Sequence, residues 1–286
     1  MQVRTRAIVA AGVVLVLVTV VGLFVAFRHF ADGLRLTFTG RSCTVSADGR
    51  VTLDARQMAN AATIAAIGAQ RGMPERAVVV ALATAYQESG LRNLAGGDRD
   101  SVGLFQQRPS QGWGSPAQIR DPRYATNTFY AALAKVRDWE GMRVTDAAQT
   151  VQRSAFPEAY QKWADESEVL SRALLGHATG AVACTIGGDP QRRGAAATAA
   201  LTQGLALDWG LAASAAATDL TRLTVTVDDE RGGWRYAHWL VSHAQDNGVR
   251  RVRFDGLQWT AEKGTWDRVT GEQPPTRVVA EVLDAS

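Results

Sequence analysis

The segments Ala85–Leu91, with the sequence AYQESGL, and Gly103–Gln107, with the sequence GLFQQ, determine how this chain is interpreted. The first segment ends a stretch of apolar residues at helical spacing and predicts a helix that stops near Gly90. Glu88 is therefore expected on the last turn, where the negative end of the helix macrodipole opposes ionisation. A carboxyl group that keeps its proton can donate it to the leaving oxygen of a glycosidic bond.

Together the two segments resemble the Glu-Ser pair and the later Gly-Leu-Met-Gln strand of lytic transglycosylases and goose-type lysozymes, which share the lysozyme-like fold. The resemblance implies a mainly helical catalytic domain over residues 53–185, with Glu88 as the catalytic acid. It implies peptidoglycan glycan strands as the substrate, cleaved at the β-1,4 bond between N-acetylmuramic acid and N-acetylglucosamine. The C-terminal part resembles domains attached to some actinobacterial transglycosylase-like proteins.

The same resemblance implies substrate-binding roles for several other residues. Ser89 resembles the family serine that helps to hold the glycan, although a serine there can also cap the helix. Gln106 resembles the glutamine of the cleft, with a structural role as the alternative. Tyr160 is a candidate for the family tyrosine on a late helix, although residues 151–160 depart from the usual Ala-Tyr-Asn-Ala-Gly setting. Trp113, between two glycines, is predicted either to stack on a pyranose ring or to fold back onto the core.

Two aspartates are candidate helper carboxylates. The sequence Gly97-Asp98-Arg99 is similar to the Gly-Asp-Arg of goose-type lysozyme, whose aspartate assists water. The spacing from Asp98 to Gly103 is shorter than expected, so Asp100 is the alternative inward carboxylate. Arg108 stands near the position of a second goose-type aspartate, which argues against a two-carboxylate mechanism. Both aspartates are also typical turn residues.

These features favour a lytic transglycosylase, because the muramoyl 6-hydroxyl supplies an internal nucleophile and one carboxylate then suffices. The product would carry 1,6-anhydro-N-acetylmuramic acid ends. One alternative is a lysozyme-like hydrolase that uses Asp98 or Asp100 to position water. Another alternative is a wall-binding or envelope-assembly module that has lost turnover.

Composition limits the other function classes. The net charge of +3 is modest and predicts no nucleic-acid partner. The chain contains no Gly-x-Gly-x-x-Gly or phosphate-loop sequence, and no cofactor is predicted. His238 and His243 are five positions apart, which does not place two metal ligands on one helix face, so no metal site is predicted. The predominance of arginine over lysine and the high alanine content indicate GC-rich coding and an actinobacterial source.

Residues 7–27, AIVAAGVVLVLVTVVGLFVAF, carry no charged side chain and predict a single transmembrane helix of about 30 Å. A cleaved signal peptide is the alternative, but Arg28 and His29 follow where small residues would precede a cleavage site. Flanking arginines leave the orientation nearly balanced. The implied substrate places the C-terminal part outside the cell membrane, with an envelope machinery of unspecified identity as a further partner.

The only two cysteines, Cys43 and Cys184, bracket the lysozyme-like segment. Outside the membrane such a pair is free to oxidise, and a disulfide between them is predicted. Two free thiols remain the alternative, because sequence spacing does not prove contact.

The predicted fold class is α+β, with a lysozyme-like domain after the transmembrane helix and a small C-terminal α/β module. The predicted parts are a cytoplasmic tip with the anchor (1–28), a membrane-proximal stalk (29–52), the lysozyme-like domain (53–185), a linker (186–194) and the C-terminal module (195–286). Helices are predicted at about 53–72, 74–89, 124–139, 145–153, 158–175, 195–209 and 234–247, and strands at 223–227, 249–254 and 276–282.

Overall fold

The structure is a computed structural model that describes residues 42–154, 156–210, 215–269 and 276–285 of the chain. The predicted anchor at residues 7–27 and the stalk residues 29–41 lie outside these ranges. Among the residues that are described, no helix is long and apolar enough to cross a membrane.

The described residues form a mixed helical and β structure. The helices are α1 (Ala55–Gln70), α2 (Glu75–Ser89), α3 (Pro116–Ile119), α4 (Pro122–Leu133), α5 (Val144–Gln152), α6 (Ala164–Leu174), α7 (Gly194–Trp209), α8 (Glu230–Ser242) and α9 (Ala244–Asn247). The strands are β1 (Ser42–Ser46), β2 (Arg50–Asp54), β3 (Val182–Cys184), β4 (Ala215–Ala217), β5 (Arg222–Thr226), β6 (Val249–Phe254), β7 (Leu257–Thr260), β8 (Trp266–Arg268) and β9 (Arg277–Val282). Short 3-10 turns lie at Pro109–Gln111, Trp139–Gly141 and Gln161–Trp163.

The two helices that precede the site are confirmed, with ends set by local chemistry. Asp54 and Gln57 form a capping box at the start of α1, each side chain accepting a hydrogen bond from the other's backbone N–H. Pro74 precedes α2, at a helix start where a missing N–H leaves no intrahelical bond unmade. Gly90 ends α2 in the left-handed conformation. The chain therefore leaves the helix directly after Glu88 and Ser89.

A three-stranded sheet joins the start and the end of the helical part. β1 lies in its centre and pairs antiparallel with β2 and with β3. Cys43 and Cys184 are register partners in β1 and β3, and they form a disulfide, which confirms the sequence prediction. The predicted turn at Asp48-Gly49 joins β1 to β2, so residues 42–52 form a hairpin where the sequence interpretation had a stalk.

The C-terminal sheet has the strand order β4-β5-β9-β6-β7-β8, with antiparallel pairing throughout the described residues. The predicted α/β module is therefore corrected to an α+β arrangement. The reason is that β9 inserts between β5 and β6, the two strands that α8 connects along the chain. β5 and β6 consequently run parallel to each other without pairing. Trp234, Trp239 and Trp259 are buried in this part.

The helical part and the C-terminal part pack together, and the described residues form one compact unit. Asp208 of α7 is fully buried where the two parts meet. Its carboxylate accepts hydrogen bonds from Arg123 Nε at 2.5 Å, Trp239 Nε1 at 2.9 Å and Thr63 Oγ1 at 3.1 Å. A buried carboxylate is costly unless it is paired in this way, so these partners are needed for the two parts to pack.

Candidate active site

Glu88 lies on the last turn of α2, as predicted, with its side chain half-buried. The hydroxyl of Tyr160 donates a hydrogen bond to Glu88 Oε1 at 2.6 Å. Tyr160 is fully buried and lies in the turn before the 3-10 segment Gln161–Trp163, because α6 begins only at Ala164. The predicted helix at 158–175 is thus shorter at its start. The structure brings together two site residues that are 72 positions apart in the sequence.

The side chain of Gln152, the last residue of α5, lies near enough to the Glu88 carboxyl group to lower its pKa. The Gln152 amide donates a hydrogen bond to the carbonyl oxygen of Phe105 at 2.6 Å, which fixes the orientation of the side chain. Sequence reasoning did not identify Gln152 as a site residue. Its position in the sequence offered one signal. Gln152 lies near the end of the helix predicted at 145–153 and within residues 151–160, the segment that resembles the setting of the family tyrosine.

The environment of Glu88 favours its protonated form. Burial raises the pKa of Glu88 above its ordinary value of 4.5, while the hydrogen bonds from Tyr160 and Gln152 lower the pKa and offset part of this effect. Burial and the neighbouring Glu88 raise the pKa of Tyr160, so its hydroxyl stays neutral and remains a donor. The arrangement can hold a proton on the carboxyl group and can then stabilise the carboxylate once the proton has left.

The raised pKa predicts how Glu88→Gln changes stability with pH. A carboxyl group with a raised folded pKa stabilises the fold fully below its unfolded pKa, and this contribution is lost as pH rises through the folded value. The neutral amide of glutamine does not titrate. We therefore expect the free energy of unfolding of Glu88→Gln, relative to the unsubstituted protein, to increase between pH 4 and pH 7. Urea denaturation at the two pH values measures this, and a difference that does not change with pH would contradict it.

Ser89 connects the end of α2 to the Gly103–Gln107 segment. Its hydroxyl lies 2.7 Å from the carbonyl oxygen of Leu104 and 3.0 Å from that of Ala85, and it accepts a hydrogen bond from the Arg92 N–H at 3.2 Å. These contacts hold the neighbouring Glu88 at a fixed distance from the segment. The hydroxyl is thus placed to position the site, which differs from the glycan-holding role that the resemblance implies.

The Gly103–Gln107 segment is a tight turn, where the resemblance implied a strand. Single bridges, Leu94 with Gly103 and Val102 with Gln107, flank it. Gly103 has a φ of 80°, and a Cβ there would lie 2.6 Å from the carbonyl oxygen of Ile119, so only glycine fits. The next two side chains are buried in the core.

Both functional groups of Gln106 are used inside this turn. Its Oε1 accepts a hydrogen bond from Ser101 Oγ at 3.0 Å, and its Nε2 donates to the Gly103 carbonyl oxygen at 3.0 Å. A Cβ at Gly97 would lie 1.6 Å from the same Oε1, so the glycine leaves the space that the amide fills. These contacts favour the structural role of Gln106 over sugar binding.

The two candidate helper aspartates lie in different surroundings, and neither forms a hydrogen bond with the Glu88 carboxyl group among the described contacts. The Asp98 side chain is 92% exposed and lies 3.9 Å from the Arg99 guanidinium. Asp100 accepts hydrogen bonds from Arg108 Nε at 2.7 Å and from the Ser110 N–H at 2.8 Å. These bonds lower the pKa of Asp100 well below its ordinary value. Asp100 is therefore a charged anchor for the following 3-10 turn.

Trp113 lines an open cleft of about 1030 Å³ beside the site. Gln152, whose side chain lies near the Glu88 carboxyl group, also lines this cleft and so connects it to the acid. The indole of Trp113 is half-buried and packs partly on the core, as one of the two predictions had it, and its stacking on a pyranose ring stays a prediction. The cleft is large enough for a sugar ring, and ligand sites are commonly of this size.

The described residues contain no group of histidine, cysteine and acidic side chains that could hold a metal ion. Both ring nitrogens of His238 face backbone partners, the Ala173 carbonyl oxygen at 2.8 Å and the Ala181 N–H at 2.9 Å. Burial lowers the pKa of His238 to about 4, so the ring is neutral. His238 thus serves the packing of α8 on the helical part.

In comparisons with known proteins, no protein-family model and no curated protein matches this chain.

Proposed function

We propose that this protein is a peptidoglycan lytic transglycosylase that cleaves the β-1,4 bond between N-acetylmuramic acid and N-acetylglucosamine in cell-wall remodelling. The observation that carries the proposal is the half-buried Glu88, which has a raised pKa, a hydrogen bond from Tyr160 and a neighbour, Gln152, that lines an open cleft. A proton donor with these properties is what cleavage of a glycosidic bond requires. Residues 53–185 would then be a lysozyme-like catalytic domain.

The proposed reaction uses Glu88 twice. The protonated carboxyl group first donates its proton to the glycosidic oxygen as the bond from that oxygen to the muramoyl C1 breaks. The carboxylate that results accepts the proton of the muramoyl 6-hydroxyl, whose oxygen bonds to C1 and closes the 1,6-anhydro ring. Tyr160 and Gln152 stabilise the carboxylate between these steps. The proton returns to Glu88, so no water is consumed.

The lyase is favoured over the hydrolase by the positions of the two aspartates. Asp98 is directed into solvent, and Asp100 is engaged by Arg108 and Ser110. The lowered pKa of Asp100 makes its carboxylate a poor base toward water, and neither aspartate forms a hydrogen bond with Glu88 among the described contacts. The internal 6-hydroxyl nucleophile removes the need for a base that activates water.

We also propose that the protein is anchored in the cell membrane through residues 7–27, with the remainder outside. The Cys43–Cys184 disulfide supports this location, since disulfides persist mainly in oxidising compartments. Envelope machinery of unspecified identity would be a partner. The C-terminal residues 195–286 support the helical part through the buried Asp208 contacts, and no activity is assigned to them.

Mass spectrometry of purified cell wall after digestion tests the proposed reaction. We expect muropeptides with 1,6-anhydro ends, which are lighter by one water than reducing ends. Reducing ends alone would replace the lyase with a hydrolase. Binding to the wall without release of muropeptides would replace both with a wall-binding module.

A further inference from the structure

The cleft beside Glu88 is lined by cations and by no acidic side chain. Lys135 and Arg137 come from the segment that follows α4, and Arg153 directly follows α5. All three side chains are exposed. The neighbouring Asp138 and Glu140 are not among the residues that line the cleft. The cleft therefore presents a positive wall to a ligand.

The cations of the helical part divide into ones that are paired with a carboxylate and ones that are not, and these three belong to the second group. Arg108, Arg123 and Arg143 each have a carboxylate partner within 3.1 Å. Within the described part of the chain, no carboxylate oxygen lies within 4.0 Å of the charged nitrogens of Lys135, Arg137 or Arg153. A position near a helix C-terminus favours a cation at each place, but it does not account for their convergence on one cleft.

Glu88 does not itself line the cleft, and Gln152 is the residue that links the positive wall to the proposed reaction centre. The Gln152 side chain lies near the Glu88 carboxyl group, and the next residue, Arg153, lines the cleft. Trp113 and Tyr124 line the same cleft and offer aromatic surface for a sugar ring. A glycan bound on this surface would carry its substituents past the cations.

We propose that this cleft binds carboxylate groups of the glycan substrate, with Lys135, Arg137 and Arg153 as the residues that recognise them. The inference rests on the proposed function and specifies its substrate as a carboxylate-bearing glycan. Carboxylates occur in two places on such a strand. They are carried by the peptide stem, and they are carried by the lactyl group of muramic acid once the stem has been removed.

Binding to three ligands of equal glycan length tests this proposal in the full-length protein with Glu88→Gln, which prevents turnover. The ligands are a muropeptide tetrasaccharide with peptide stems, the same tetrasaccharide after amidase treatment, and chitotetraose, which has no carboxylate. We expect both carboxylate-bearing ligands, or the stem-bearing one alone, to bind about tenfold more tightly than chitotetraose, because three exposed ion pairs together contribute about this factor. Tighter binding of both ligands would show that the cleft accepts either source of carboxylate, and tighter binding of one ligand alone would identify the stem or the lactyl group as the recognised source.

The cleft variant Lys135→Gln/Arg137→Gln/Arg153→Asn should lose this preference and bind chitotetraose unchanged. Asparagine is chosen because Arg153 has a φ of 53°, which asparagine tolerates. The control variant Arg50→Gln/Arg56→Gln/Lys263→Gln removes the same charge from exposed positions elsewhere and should keep the preference.

Equal binding of all three ligands, or a preference that survives in the cleft variant, would overturn the inference and leave the proposed reaction in place. Failure to bind any of the three ligands would overturn the proposed function together with it. Thermal unfolding of both triple variants shows whether they fold. If the cleft variant does not fold, the three single variants replace it, each with an expected partial loss of the preference and the same criterion for rejection.

Discussion

Replacement of Glu88 by glutamine is expected to reduce muropeptide release from purified cell wall by at least about 100-fold, the lower range for loss of a general acid. Glutamine has nearly the same shape and can still accept a hydrogen bond from Tyr160, but it has no proton to donate to the glycosidic oxygen. The substitution therefore removes the proposed chemistry and preserves the packing. Initial rates of muropeptide release, measured by chromatography, give the effect.

The matched control is Glu168→Gln, the same chemical change at an exposed position of α6. It should release muropeptides at the rate of the unsubstituted protein. Binding of the Glu88→Gln protein to insoluble wall should be retained, and its circular dichroism should be unchanged. Release that continues at a rate within a few fold of the unsubstituted protein would exclude Glu88 as the acid.

The helices of this protein are predictable because their signals are local. The Asp54–Gln57 capping box, Pro74 and Gly90 each lie within one turn of a helix end, so a short stretch of sequence contains the whole cause. The same locality placed Glu88 at the end of α2. The residues 158–163 were assigned to the α-helix in error: residues 158–160 form a turn, from which Tyr160 reaches Glu88, and Gln161–Trp163 form a 3-10 segment.

The partners of Glu88 depend on contacts between distant segments. Gln152 and Tyr160 reach the carboxyl group from α5 and from the turn before α6, and nothing in the spacing of these residues specifies the contact. The sequence likewise does not predict the hydrogen bonds that Gln106 and Ser89 form in and around the Gly103–Gln107 segment. A resemblance assigns such polar residues to the ligand, whereas the structure shows how far they are already engaged by the protein.

The pairing of the strands in the two sheets could not be predicted from the sequence either. β1, β2 and β3 are short, and the pairing of β1 with β3 joins segments that are 141 residues apart at the disulfide. The insertion of β9 between β5 and β6 likewise follows from long-range packing and has no local signal. Cysteine was the one residue type whose chemistry made such a distant pairing predictable.

Removal of this disulfide is expected to be the most destabilising change outside the reaction centre. The bridge joins β1 to β3 across 141 residues, and both sulfur-bearing side chains are fully buried. A cross-link over so long a loop restricts the unfolded chain, and loss of a native disulfide costs about 2–5 kcal/mol. For the full-length variant Cys43→Ala/Cys184→Ala we expect an unfolding midpoint lower by on the order of 10 °C. Muropeptide release well below that midpoint should be retained, because Glu88 and Tyr160 do not contact the bridge.

Val45→Ala is the matched control, since it removes a fully buried side chain from the same strand and leaves the disulfide intact. A reductant should lower the midpoint of the unsubstituted protein and of Val45→Ala, and it should leave the double variant unchanged. This difference separates the effect of the cross-link from that of a cavity in the core. Intact-protein mass after thiol alkylation gives the redox state directly. Two alkylatable thiols in the folded, unreduced protein from the cell envelope would contradict the bridge and would also argue against the proposed outward orientation of the chain.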